Sequence, residues 1–180
     1  MAQVGRAKQL ERDSFYMGLA RAVREGANCL GSSVGAVLVI ENRVVSTGFN
    51  GTPEGFPNCS DYGCVRCRDS ELHKTGRASE ASDPEHVAGR GLDRCICVHA
   101  EQNAILTAAR FGIAVRGSTL YTTLSPCFGC LKESIQAGVR RIVFDEIYAS
   151  PMSDPLRRQY ADLSDHLCGG DATRFEQFAH

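Results

Sequence analysis

The chain has 180 residues, of which 43% are hydrophobic and 23% charged, with a formal net charge of -1. That length and balance suit one globular domain with a full core. The near-neutral charge speaks against a polyanionic polymer as partner, and no stretch approaches the roughly 18–20 apolar residues that a bilayer span needs.

The polar, mixed-charge start from Met1 to Arg12 does not read as a secretory signal, so a cytoplasmic location without membrane contact is expected. Apolar residues Leu10, Phe15, Leu19, Ala22 and Val23 recur at helical spacing, which predicts an amphipathic helix from Gln9 to about Gly26. Val34 to Ile40 is a continuous apolar run of the kind a buried strand carries. Glu41-Asn42 then turns the chain into a second strand, Arg43 to Phe49, giving a hairpin that ends on the turn signal Asn50-Gly51-Thr52-Pro53.

From Cys59 to Arg94 the chain becomes polar and rich in Cys and Gly, and an irregular segment is expected there. Periodicity resumes after His99. Ala100, Ala104, Ile105, Ala108 and Phe111 predict a helix closed by Gly112. Ser118 to Thr123 reads as a strand, Cys127 to Ala137 as a helix closed by Gly138, and Arg141 to Asp145 as a further strand. The tail from Ser150 holds a helix over Pro155 to His166 and a weakly patterned end. The order predicts an α/β fold in which an antiparallel hairpin joins an otherwise parallel sheet.

Nine cysteines are many for a reducing compartment. An odd, clustered set points to metal or catalysis before disulfides, although Cys168 stands alone and reads equally well as a small buried residue. Two short motifs carry the chemistry. They are His99-Ala100-Glu101 and Pro126-Cys127-Phe128-Gly129-Cys130, each opening a predicted helix. Cys127 and Cys130 share one helical face, and a helix start favours the thiolate. One imidazole and two thiolates leave the fourth position of a tetrahedral zinc open, the pattern of a catalytic site. Glu101 is then placed to act as general acid and base rather than as a ligand. His-x-Glu with Pro-Cys-x-x-Cys is the signature of zinc nucleobase deaminases.

Through these motifs the chain resembles the deoxycytidylate (dCMP) deaminase family of the cytidine deaminase-like superfamily. Val34-Gly35-Ala36-Val37, the run Thr47 to Pro53, the run His99 to Ile105 and the run Leu120 to Cys127 carry the likeness, which covers most of residues 15–148. It implies a three-layer α/β/α fold, hydrolytic deamination of a cytosine-type nucleotide, a homo-oligomer, and a small-molecule rather than a polymeric substrate. It also implies substrate contacts from Asn50, from the Ala100 backbone, from the turn at Ser125 and from Tyr148. A second, structural zinc is implied near the cysteine-rich insertion. Its ligands are drawn from Cys29, Cys59, Cys64, Cys67, Cys95 and Cys97, with His73 or His86 able to intrude, and the sequence does not choose four from six. One departure bears on substrate. Where many relatives carry cations before Val-Gly-Ala, this chain has Gly31-Ser32-Ser33. The phosphate charge would then fall to Arg66, Arg68 or Arg94, or the substrate would be an unphosphorylated or modified nucleoside or a free base. Deamination of polynucleotide bases such as tRNA adenosine fits less well, since those relatives carry Glu-Pro-Cys where Ser125-Pro126-Cys127 stands here. A non-catalytic zinc-binding module has no need of Glu101.

Overall fold

The computed structural model describes residues 2–76, 95–148 and 152–178. Five strands form one sheet: β1 (Gly35–Ile40), β2 (Arg43–Phe49), β3 (Thr119–Leu124), β4 (Arg141–Glu146) and β5 (Phe175–Gln177). Their spatial order is β2-β1-β3-β4-β5. β1 runs antiparallel to both β2 and β3, while β3–β4 and β4–β5 are parallel. The mixed sheet with its antiparallel hairpin is therefore as the element order implied.

Strand residues alternate between two cores, as the two-residue period of a strand requires. Val37, Val39, Tyr121 and Val143 face helix α1 (Ala2–Arg24) and pack on its Tyr16, Met17 and Ala20. Ala36, Leu38, Leu120 and Ile142 point the other way. There they pack on α3 (Ala100–Arg110) and α4 (Phe128–Ala137), which contribute Ala100, Ala104 and Leu131. Helix α5 (Asp154–Cys168) closes this second layer through Leu167. Three layers result, with the site on the α3–α4 side.

Several boundaries differ from the expectation. Helix α1 begins at Ala2 and ends at Arg24 rather than running from Gln9 to Gly26. Its buried stripe is also rotated: Leu10 and Phe15 are exposed, at 46% and 62%, and Asp13, Tyr16, Met17 and Ala20 face the sheet instead. The reason is a buried ion pair. Asp13 meets Arg141 of β4 through two 2.7 Å contacts and accepts a 2.7 Å hydrogen bond from the Tyr121 hydroxyl. A helix face that carries a carboxylate reads as polar, yet here its partners lie in the sheet. Part of the segment expected to be irregular is helix α2 (Val65–Lys74). Strand β5, from the weakly patterned tail, extends the sheet by three residues, pairing Phe175 with Ile142. Its shortness left no periodic signal.

Candidate functional site

The site is set by where α3 and α4 begin. Helix α3 starts against Gly48, near the carboxyl end of β2, and α4 follows the carboxyl end of β3. His99 is the N-cap of α3, and its backbone N–H donates to the Gln102 side chain at 3.0 Å, completing a capping box. Gln102 in turn donates to Glu133 of α4 at 3.0 Å, tying the two helix starts together. Cys127 is the N-cap of α4, and its sulfur accepts from the Cys130 backbone N–H.

Helix α3 is docked tightly on β2. Ser46 donates to the Ala104 carbonyl at 2.7 Å and Asn103 donates to the Phe49 carbonyl at 2.7 Å. Gly48 makes the close approach possible, since a Cβ there would lie 2.3 Å from both the Ala100 oxygen and the Ala104 nitrogen. Neither Ser46 nor Gly48 stood out as a site residue in the sequence. Their signal was only a serine and a glycine inside a strand pattern, which marks a close backbone approach.

This docking brings the three expected ligand residues together. His99 Nδ1 lies 3.4 Å from the sulfurs of both Cys127 and Cys130. A tetrahedral ion with Zn–N near 2.0 Å and Zn–S near 2.3 Å has an N···S edge of roughly 3.5 Å. The donor set and its spacing therefore fit zinc, with one coordination position left to a non-protein ligand. The Cys127 thiol is held down to about 4 by its hydrogen bond with Cys130, and the bond with His99 adds to that, against burial. The same contact with Cys127 lifts His99 to about 9. Glu101 is 4% exposed, and burial pushes its carboxyl up to about 7, with a hydrogen bond from its own backbone N–H and then the charge of His99 acting the other way. A carboxyl enclosed beside the ligand residues is placed to take and return a proton.

The other residues expected to contact substrate hold the following places in the structure. Asn50 is buried, and its carboxamide bridges two backbone groups, accepting from Val34 N–H at 2.8 Å and donating to the Ser32 carbonyl at 2.6 Å. It pins the Ser32–Val34 segment, and one amide hydrogen and one lone pair are left over. Ala100 is fully buried at the first turn of α3. Ser125 Oγ accepts from the Tyr148 backbone N–H at 2.7 Å, which leaves its own proton to donate. Ser125 and Tyr148 line a cavity of about 180 Å³ together with Pro126, Met152 and Tyr160. Tyr160, which the sequence did not single out, donates to the Pro126 carbonyl at 2.7 Å and so props the turn before Cys127 from α5. Burial raises the Tyr148 phenol, and the positive charge of Arg66 in α2 opposes that shift. Arg68 pairs with Asp69 at 3.1 Å, and Arg94 and His86 lie outside the described residues, as does the His73 side chain.

The six remaining clustered cysteines also converge. Two sets of four sulfurs, each mutually within 4.8 Å, are Cys29, Cys59, Cys67 and Cys97, and Cys64, Cys67, Cys95 and Cys97. All are free thiols. Hydrogen bonds from Cys67 hold Cys29 and Cys95 low, while Cys67 itself is pushed up. Cys168 is separate and half-buried, and burial raises its thiol. Among the described residues no helix is long and apolar enough to cross a membrane.

Residues 10–146 match the family described as the cytidine and deoxycytidylate deaminase zinc-binding region. The deoxycytidylate deaminase of Schizosaccharomyces pombe is 36% identical over 136 residues, which are 76% of this chain and 37% of that protein. That of Enterobacteria phage T4 is 36% identical over 152 residues, 75% of this chain and 78% of that one. The chain thus spans little more than a third of the yeast relative's length and most of the phage relative's. Among solved structures, the dCMP deaminase of cyanophage S-TIM5 in complex with dCMP and dUMP is similar, with a TM-score of 0.62 and 27% identity over 93% of this chain and 96% of that one.

Proposed function

Because the chain belongs to the cytidine and deoxycytidylate deaminase zinc-binding family, we propose that it hydrolyses dCMP to dUMP and ammonia. The observation that carries this reading is the convergence of His99, Cys127 and Cys130 with the buried carboxyl of Glu101 beside them. The likeness to deoxycytidylate deaminases, and to one solved with dCMP and dUMP, supports the substrate.

In this mechanism His99, Cys127 and Cys130 hold a catalytic zinc. When bound, zinc supplies the Lewis acidity that makes water nucleophilic near neutral pH. Glu101 would take one proton from the attacking water and give it to N3 of the ring, then take the second from the hydroxyl now on C4 and pass it to the amine, which leaves as ammonia while C4 becomes the carbonyl. The first turn of α3 at Ala100 and the turn at Ser125 bound the base. Tyr148 packs at its edge, and Asn50 reaches the sugar and phosphate end with the hydrogen-bonding capacity its structural bonds leave over. Arg66 supplies the cation that Gly31-Ser32-Ser33 lacks, supported by its charge being felt at Tyr148.

The six-cysteine cluster takes structural zinc, which staples the insertion at 59–97 beside the site and offsets its ordering entropy. The chain works as one deaminase unit in a homo-oligomer, a reading supported by the exposed apolar residues Leu106, Phe111 and Ile113 along and just after α3. Its free thiols suit the reducing cytoplasm. A substrate panel tests the reading. Ammonia release from dCMP that exceeds release from deoxycytidine, cytosine and a single-stranded oligonucleotide supports it. Preference for an unphosphorylated compound would replace the substrate, and no release from any of them would leave only a zinc-binding module.

A further inference from the structure

The two sets of four thiols have two members in common. Cys67 and Cys97 belong to both, Cys29 and Cys59 to one only, and Cys64 and Cys95 to the other only. We propose that the six thiolates bind two zinc ions as a pair of tetrahedra sharing an edge. Cys29 and Cys59 are terminal ligands of one ion, Cys64 and Cys95 are terminal ligands of the other, and Cys67 and Cys97 bridge both. This rests on the reading that the cluster holds zinc and goes beyond it in number and connectivity.

The sulfur spacing carries the argument. Cys29 and Cys67 are 3.8 Å apart, and Cys67–Cys95 and Cys64–Cys95 are each 3.7 Å apart. A regular tetrahedron with Zn–S bonds of about 2.3 Å has an edge of roughly 3.8 Å. Disulfides close at about 2.05 Å, so these sulfurs are spaced for a common ion and not for each other. The distances that match span both sets, so neither set alone accounts for them.

Burial supplies the second argument. Cys59, Cys64, Cys67 and Cys97 form a small core of their own, with only Leu30 and the half-buried Cys29 and Cys95 packed against it. Such a core gains little from hydrophobic burial, because it holds one aliphatic side chain. A single ion would use four thiolates and strand two thiols beside them without a metal. Two ions use all six, at the same net charge as one ion held by four thiolates. The cluster then joins three separated stretches: the residues before β1, the 3-10 turn at Cys59–Asp61 with α2, and the strand-like approach to His99. Since Cys97 lies two residues before His99, the cluster also anchors the entry to α3.

Zinc per chain after anaerobic reconstitution and dialysis is the first test, and cadmium-113 NMR of the cadmium-exchanged full chain is the second. The expected result is three metal ions per chain, with two of the three cadmium resonances split by each other through shared sulfur. Cys67→Ser is expected to release both cluster ions and keep the one at His99. Should that variant fail to fold, the wild-type spectrum decides alone. Two ions per chain would overturn the shared-edge cluster while leaving a single structural zinc in place. One ion per chain would overturn both readings. Three ions without mutual splitting would refute the bridging thiolates, as would iron with acid-labile sulfide in place of zinc.

Discussion

Gly48→Ala tests whether the docking of α3 on β2 sets the catalytic geometry. The added methyl would sit 2.3 Å from the Ala100 oxygen and the Ala104 nitrogen, and 2.9 Å from the Asn103 carbonyl carbon. Ordinary contact begins near 3.4 Å, and all three atoms are helix backbone that cannot rotate away. Helix α3 must therefore retreat by roughly 1 Å, and it carries His99 and Glu101 at its start. Overpacking of this kind costs about 1–3 kcal/mol of stability. A misplacement near 1 Å costs turnover about a hundredfold. The assay is ammonia release from dCMP, with zinc content and thermal unfolding measured on the same sample. Folded, zinc-loaded protein with kcat within about threefold of wild type would refute the claim that this contact positions the site.

Other outcomes follow from the same geometry. Cys127→Ser is expected to lose the catalytic metal and the activity together, read by zinc content and ammonia release, because it removes a donor 3.4 Å from His99 Nδ1. Asp13→Asn is expected to destabilise the fold by less than the about 3–5 kcal/mol of a fully orphaned buried charge, since Arg141 keeps its ion pair with Glu176 of β5; denaturant midpoints measure this. Burial alone would raise Asp13, but hydrogen bonds from Arg141 and Tyr121 more than offset it and hold the carboxyl below its ordinary value of 3.8. The sign is then that of a depressed carboxylate. The pair contributes fully above pH 3.8 and is lost as pH falls through the lower, folded value, so the wild-type and variant stabilities converge in strong acid. Tyr160→Phe leaves the Pro126 carbonyl without its donor, and the expected cost is about 1 kcal/mol of stability with a rise in KM larger than the fall in kcat.

The sequence revealed elements whose pattern is local. The apolar run of β1 and the helices closed by left-handed Gly112 and Gly138 needed no tertiary knowledge, and both glycines have positive φ as such caps require. The convergence of His99, Cys127 and Cys130 was legible because metal ligation needs particular atoms at particular spacings. What was missed depends on distant partners. The face of α1 was misjudged because Asp13 finds its partner in β4, more than a hundred residues away. β5 was missed because three residues carry no period, and α2 because cysteines and charges hid its helix. Which thiols group together was also beyond the sequence, since Cys29 meets Cys67 only after the insertion folds back.

The most direct test of the central claim is ammonia release from dCMP by Glu101→Gln with its zinc content determined. The variant keeps nearly the same shape and loses only the titratable proton. The account predicts full catalytic zinc and a turnover reduced about 10²- to 10⁴-fold, the usual share of a general acid–base group. A zinc-loaded variant that turns over dCMP at the wild-type rate would contradict it.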